Sequence, residues 1–185
     1  MRTLAWLPIA FVTWYFAHPA VPVVLLVRVL ACLALPDLVQ GVEQASTLVT
    51  FVTTLKPAGV APGAVVTVDV NLLLYSFGLP LLAALTIAAQ EPAWKRHLAI
   101  GYAVLLPCIA WCVLADFLKN VAIGAGPAVS AQTGFTAWQR EAIAFAFELG
   151  SLILPAVAPA VMWVAMHGRF LSSLRHRHRR IEALR

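Results

Sequence analysis

Four long apolar stretches, at residues 4–27, 72–89, 98–118 and 142–166, alternate with short segments that hold most of the charged residues. A helix needs about 20 mostly apolar residues to cross the hydrocarbon core of a bilayer. Hydrophobic residues make up 62% of the chain and charged residues 11%, whereas soluble domains carry roughly 25% charged residues. The sequence therefore predicts a single all-α membrane domain with four transmembrane helices, surrounded by the lipid bilayer.

The first apolar stretch is the one whose path the sequence leaves open. Its apolar character continues to about residue 39, across His18, Pro19 and Arg28. A single helix over residues 4–39 would be about 54 Å long at 1.5 Å per residue, which is too long for one crossing. Residues 4–39 therefore cross once and continue as an interfacial helix, or they cross twice as two short spans.

The distribution of Lys and Arg predicts the orientation in the membrane. If the chain starts in the cytoplasm and crosses four times, nine of its thirteen Lys and Arg residues fall in cytoplasmic segments. These nine are Arg2, Lys95, Arg96, Arg169, Arg175, Arg177, Arg179, Arg180 and Arg185. Cytoplasmic segments of membrane proteins carry such an excess of positive residues. We therefore expect both termini in the cytoplasm.

Residues 167–185 form a basic tail, which accounts for the formal net charge of +5. Its Arg residues alternate with apolar residues, as in an amphipathic helix that lies on anionic lipid. The same pattern is typical of a basic stop-transfer segment with no further role, and both interpretations stay open. Because the positive charge lies in this tail, we expect no nucleic acid among the partners.

Between the first two spans, residues 43–71 carry the pattern of a small extracytoplasmic β-hairpin. Residues 47–55 are rich in β-branched side chains, and in residues 66–71 valine alternates with Thr67, Asp69 and Asn71. Alternation with a period of two is typical of a strand with one polar face. We predict a hairpin that rests its apolar face on the helices and leaves a strand edge open to pairing.

Local signals predict where the helices begin, bend and end. Asn71 is expected to cap the second span, and Thr136 the last helix. Pro80 is expected to kink the second span, and Pro155 the last span, because proline lacks the N–H that a helix needs. Residues 124–135 are expected to end the third helix, with the sequence Gly-Ala-Gly-Pro, and to form a second outer loop.

Ionisable residues at membrane depth are costly, so each one indicates a functional site or a structural pair. Arg28 and Asp116 are predicted to be buried polar residues of the bundle. Arg140, Glu141 and Glu148 recur at helical spacing along one side of the last span. We expect an ion pair that joins Asp116 or Glu148 to Arg28 or Arg140. It would either hold helices together or form a site for a peptide or a partner helix, and both alternatives stay open.

The sequence holds no arrangement that is typical of an enzyme or a metal site. It contains neither a His-Glu-x-x-His pair nor a Gly-x-Ser-x-Gly motif. Cys108 and Cys112 share a helix face but lie in an apolar span, where small inert cysteines are common. We therefore predict no catalytic residue, no metal site and no cofactor, with an enzyme that uses one of these cysteines as a third hypothesis.

Several short motifs, in one order along nearly the whole chain, carry a family resemblance. They are Trp6-Leu7-Pro8, Trp14-Tyr15, Gly41-Val42-Glu43-Gln44, residues 70–82, Trp138-Gln139-Arg140-Glu141-Ala142 and Leu152-Ile153-Leu154-Pro155. With these motifs the chain resembles the exosortase H-associated membrane protein family of bacteria. The polar motifs around Glu43 and Arg140 are the more specific ones, because apolar membrane segments resemble one another by composition.

The resemblance implies a companion of an exosortase, a cysteine enzyme of the bacterial inner membrane that processes the C-terminal sorting tails of exported proteins. It implies a non-catalytic accessory protein that binds the exosortase or its substrate tail. The partner-binding residues that we expect are Asp69, Asn71, Tyr75, Trp138, Arg140, Glu141 and Glu148. The alternative function is a small transporter or channel subunit that acts as a homo-oligomer, with a polar path past Arg28, Asp116 and Glu148.

Overall fold

A computed structural model of the chain describes residues 2–17, 20–57, 63–89 and 92–168. Its helices and strands are, in chain order, α1 (Arg2–Ala17), α2 (Ala20–Ala34), β1 (Val39–Ala45), β2 (Leu48–Thr53), β3 (Thr67–Asn71), α3 (Leu73–Ser76), α4 (Gly78–Ala89), α5 (Trp94–Lys119), α6 (Pro127–Ser130), α7 (Ala137–Glu148) and α8 (Leu154–Met166). The structure is 72% helical. The three strands form an antiparallel sheet in the order β1–β2–β3.

Two continuous helical stretches of the described residues are long and apolar enough to cross a membrane, Trp94–Gly124 and Ala137–Met166. Helices α1 and α2 meet at an angle of 61° and pass the same test only as one broken span. The helical stretch Leu73–Ala89 is apolar but shorter than a full span. Length and composition thus support two or three membrane-spanning helices, and the predicted four are not confirmed.

Strands β2 and β3 form the predicted hairpin, and β1 extends it by a third strand that the sequence analysis missed. β1 pairs with β2 from Val39, opposite Thr53, to Ala45, opposite Leu48. The register shifts between Val39 and Gly41, and this irregularity interrupts the alternation of apolar and polar residues. Residues 39–45 therefore lack the period of two that marks a strand in a sequence.

The apolar face of the sheet packs against the end of α5. Phe51 of β2 and Phe117 of α5 are fully buried, and their rings stack with centroids 4.2 Å apart. Val49 and Val70 lie opposite each other across β2 and β3 and are also fully buried. Below, the end of the helices that carries the sheet is called the sheet end, and the opposite end is called the far end.

The second apolar stretch is broken close to the predicted kink. Helix α3 ends at Ser76 and α4 begins at Gly78. Pro80 lies in the first turn of α4, where its missing N–H leaves no helical hydrogen bond unmade. A Cβ atom on Gly78 would lie 2.7 Å from the carbonyl oxygen of Pro155. The glycine at the start of α4 therefore lets this helix approach α8 closely.

Both long helical stretches contain a segment of π-helix. The segment Asn120–Gly124 follows α5, and Gly126, with a φ of 84°, ends the stretch at the predicted Gly-Ala-Gly-Pro stop. The segment Leu149–Ile153 joins α7 to α8 and directly precedes the turn that holds Pro155. A widened turn makes room for a proline ring and removes the need for its N–H. The last span is therefore irregular where the sequence predicted a bend.

Both predicted helix caps are confirmed. The Oδ1 atom of Asn71 accepts a hydrogen bond from the Leu73 N–H at 3.0 Å. The Thr136 hydroxyl accepts the Gln139 N–H at 3.3 Å, and the Gln139 side chain accepts the Thr136 N–H at 2.9 Å. This reciprocal pair is a capping box, which satisfies two N–H groups at the start of α7.

Residues 128–133 of the predicted outer loop instead belong to α6 and to the 3-10 turn Ala131–Thr133. Pro127 favours this helix because its fixed φ suits the first helical position. The Gln132 side chain donates to the Lys56 carbonyl at 2.9 Å and accepts the Lys56 N–H at 3.1 Å. This segment is therefore tied to the chain that leaves β2.

Two predicted features fall outside the described residues. Of the basic tail at residues 167–185, the structure describes only His167 and Gly168. The predicted contact of that tail with anionic lipid lies outside them, as does the break at His18 and Pro19.

We expect Phe51→Ala to lower the free energy of unfolding by about 3–5 kcal/mol, because it removes a buried ring and leaves a cavity beside Phe117. Thermal unfolding of the purified protein in detergent measures this loss. Leu48→Ala is the matched control, because Leu48 lies on the same strand and is 38% exposed. Similar melting temperatures for the two variants would contradict the docking of the sheet on α5.

Candidate functional site at the sheet end

The backbone of β3 is unpaired along one edge of the sheet. The Thr53 N–H donates to the Val66 carbonyl at 3.1 Å. Because backbone groups alternate in direction along an antiparallel strand, the even-numbered residues 66, 68 and 70 direct theirs toward β2. The N–H and C=O groups of Thr67 and Asp69 therefore point away from β2. They form no hydrogen bond with another backbone group of the described residues. Such an edge is a template for the addition of another strand.

This open edge faces a groove of about 690 Å³, which we call the edge groove. One wall consists of Pro57 and residues 66–69, and the other consists of residues 124–129, with Asn120 nearby. The second wall has the sequence Gly-Ala-Gly-Pro-Ala-Val, so its side chains are small. Gly126 has a φ of 84°, a conformation that glycine adopts without strain. The edge groove thus has room for an extended chain beside β3.

The solvent-facing side of β3 carries polar side chains. The Thr50 hydroxyl donates to Asp69 Oδ1 at 2.6 Å, across the paired strands. The side chains of Thr67 and Asp69 are exposed, whereas that of Val70, on the face of β3 that packs against α5, is buried. The predicted partner-binding residue Asp69 is thus held in place at the edge. Asn71, by contrast, uses its side-chain oxygen to cap α3.

A polar cluster lies beside the edge groove, where α3, α5 and the last helix meet. The Asn120 amide donates to Asp116 Oδ1 at 3.0 Å, and the Tyr75 hydroxyl faces the same carboxylate. One turn further from the sheet, the Cys112 thiol donates to the Gly150 carbonyl at 3.0 Å. The half-buried carboxylate of Asp116 is therefore held by two neutral donors.

The predicted residues of α7 divide between two environments. Trp138 is 76% exposed, and Glu141 and Glu148 are also exposed. Arg140 is half-buried, and its Nε atom is shielded from solvent without a hydrogen-bond partner. On the side that faces α5, the Lys119 ammonium lies 4.9 Å above the ring of Phe147. The exposed residues of α7 therefore turn away from α5.

The predicted ion pairs are not found within the part of the chain that the structure describes. Asp116 is satisfied by the neutral donors, and Glu148 has no cation beside it.

Arg28 was predicted to be buried and is exposed. Helix α2 turns Val27 and Ala31 inward, and position 28 lies about 100° around the helix from position 27.

The fold thus brings part of the predicted set together. Asp69 lines the edge groove, Asn120 joins that groove to Asp116, and Asp116 adjoins Tyr75. The sequence analysis missed Asn120 and the wall at residues 124–129. The Gly-Ala-Gly-Pro signal was visible, but it indicated only a helix stop, because nothing local shows that the segment lies opposite β3.

The described residues contain no group of three or more His, Cys, Asp and Glu side chains that could hold a metal ion. At the far end, the rings of His97 and His167 have centroids 4.8 Å apart, and Trp163 stacks on His167 at 5.2 Å. The imidazole of His167 also lies 3.0 Å from the Trp163 carbonyl. These contacts join the start of α5 to the end of α8.

Comparison with known proteins gives one family match. The family model for exosortase H-associated membrane proteins matches residues 1–170 of the chain. No curated protein and no solved structure gives a significant match.

We expect Asp116→Leu to lower the free energy of unfolding by about 1–3 kcal/mol, because it leaves the half-buried Asn120 amide without its acceptor. Asp116→Asn keeps a side-chain oxygen at this position and should lose less. Thermal unfolding in detergent compares the two variants with the parent. An equal loss for both would show that the charge of Asp116, and not its acceptor role, supports the cluster.

Proposed function

Because the chain belongs to the exosortase H-associated membrane protein family, we propose that it is a non-catalytic accessory subunit of an exosortase system. In this role it binds the exosortase or the sorting tail of an exported protein. The family name links the chain to the enzyme, and the unpaired edge of β3 supplies a surface that fits an extended peptide. Strand addition uses backbone hydrogen bonds for affinity and side-chain pockets for selectivity.

The edge groove supports a peptide as the bound species. Thr67 and Asp69 together offer two outward N–H groups and two outward carbonyls, spaced as a neighbouring strand requires. The opposite wall has small side chains, so it does not occupy the place of an added strand. Gln132, in the 3-10 turn that follows α6, bonds to Lys56 and keeps this wall beside the sheet. The groove therefore needs little rearrangement on binding, which lowers the entropic cost of association.

We further propose that the sheet end lies outside the bacterial inner membrane, with both termini in the cytoplasm. The turn that holds Lys95 and Arg96 lies at the far end, next to the start of α5. Positive residues favour the cytoplasmic side, so this turn supports a cytoplasmic far end. The sheet end would then meet exported proteins as they leave the membrane.

The alternative function, a transporter or channel subunit, has less support. It requires a polar path along Arg28, Asp116 and Glu148. Arg28 and Glu148 are exposed, and Asp116 is bound within the polar cluster. No hydrogen bond or ion pair among the described residues links these three side chains.

We expect Thr67→Pro and Asp69→Pro to reduce recovery of the partner at least tenfold. Each proline removes one outward N–H of β3 and leaves the bonds to β2 in place. The measurement is co-purification of the tagged chain from membranes that also contain the exosortase and a sorting-tail protein of the same bacterium. Quantitative mass spectrometry reports the amount of each.

Asp69→Ala is the matched control, since it removes the carboxylate and keeps the backbone N–H. Val68→Pro is a second control, because Val68 bonds to β2 and its replacement should destabilise the sheet itself. If the parent chain recovers a partner and both edge prolines recover as much, binding does not use the edge of β3. If the parent chain recovers neither protein, the accessory function is wrong.

A further inference from the structure

One exposed stripe on the last span combines apolar and acidic side chains. Four of its positions, 138, 141, 145 and 148, lie on α7, where steps of three and four residues keep them on one side of the helix. Position 152 follows in the π-helical segment Leu149–Ile153. Trp138, Phe145 and Leu152 are 76%, 68% and 73% exposed. Glu141 and Glu148 are exposed as well. We call these five residues the α7 stripe.

The α7 stripe reaches membrane depth at Glu148. The helical stretch Ala137–Met166 has 30 residues and is about 45 Å long at 1.5 Å per residue. If it is centred on a hydrocarbon core of about 30 Å, Glu148 lies about 9 Å inside that core. Trp138 then lies in the headgroup region, where tryptophan is common. Glu148 is therefore an acidic residue among acyl chains unless something else covers it.

The chain itself does not cover this residue. Within the described residues no cation is paired with Glu148. The Lys119 ammonium lies over the ring of Phe147, which is about 100° around α7 from Glu148. Ionisable residues in membrane helices almost always face protein or a water-filled cavity, where they are paired. An exposed carboxylate at this depth therefore indicates a covering partner.

A second copy of the chain fits the α7 stripe poorly. Two copies that meet symmetrically along the stripe would bring Glu148 close to Glu148 and Glu141 close to Glu141. Like charges at an interface oppose association. The charged side chains of the α7 stripe are both acidic, so a complementary partner carries basic residues at the same positions along its length.

We propose that the α7 stripe docks a transmembrane helix that carries a Lys or Arg at the depth of Glu148. This helix belongs to the exosortase, and the inference rests on the proposed function. A second basic residue about seven positions nearer the sheet end would face Glu141, because seven residues make two helical turns. Phe145 and Leu152 supply the apolar contacts on either side of Glu148. The α7 stripe and the edge groove then hold a partner at two depths.

Site-specific photo-crosslinking tests the docking in intact membranes. A photoreactive phenylalanine analogue replaces Phe145 or Leu152 in the tagged chain, which is co-expressed with the exosortase of the same bacterium. We expect crosslinks to the exosortase at both positions. Val161, which is 58% exposed on α8, is the control position and should give at least fivefold less product.

Charge variants test the ion pair. Glu148→Gln should lower recovery of the exosortase at least tenfold, whereas Glu148→Asp should retain more of it. Glu148→Lys should also lower recovery of the exosortase. Recovery should return when the matching basic residue of the exosortase is replaced with Glu, because the two charges are then exchanged. In the isolated chain, Glu148→Leu should leave the melting temperature unchanged or raise it, so a loss of binding would not reflect unfolding.

The outcomes separate this inference from the proposed function. If the parent chain recovers the exosortase but crosslinks appear at neither stripe position, the α7 stripe faces lipid and only the docking proposal is wrong. Parent-level recovery by Glu148→Gln, or crosslinks only to a second copy of this chain, also overturns it. If the parent chain recovers a sorting-tail protein but no exosortase, the proposed function stands and this inference is wrong. If it recovers neither protein, both are wrong.

Discussion

The stacking of Phe51 on Phe117 joins the sheet to the helices, and the geometry of the sheet end depends on it. Helix α5, which carries Phe117, also packs against α2, α4, α7 and α8. A sheet of three short strands has little stability without such packing. The segment at residues 124–129 continues from the same helix and therefore lies beside β3. This apolar contact helps to place both walls of the edge groove, together with the hydrogen bonds between Gln132 and Lys56.

Two acidic residues of the long helical stretches show how the environment separates similar side chains. Asp116 lies where α3 and α5 meet, so neutral donors from Asn120 and Tyr75 reach its carboxylate. Glu148 lies on the side of α7 away from α5 and has no such neighbour among the described residues. The packing of α5 against its neighbours thus determines that Asp116 has a hydrogen-bond donor within the chain and that Glu148 stays exposed.

Prolines and glycines predicted the irregular points of the helices but not their form. The signal at Pro80 is realised as an interruption at Phe77 between α3 and α4, within the apolar helical stretch Leu73–Ala89. The signal at Pro155 is realised as a π-helical segment within a continuous stretch. Gly78, near Pro80, lets α4 pass close to Pro155.

The sequence by itself determined the membrane class, the caps at Asn71 and Thr136, and the strands β2 and β3. The caps and the strands depend on residues within one helical turn or one strand, and the membrane class depends on apolar stretches of about 20 residues. A pattern that is local in the sequence is therefore sufficient to identify each of them. Only the tertiary structure decided that β1 joins the sheet, that residues 124–129 lie opposite the edge of β3, and that Arg28 is exposed. These features depend on the register of paired strands and on the rotation of packed helices. Both are set by contacts between residues far apart in the chain, which no short sequence pattern contains.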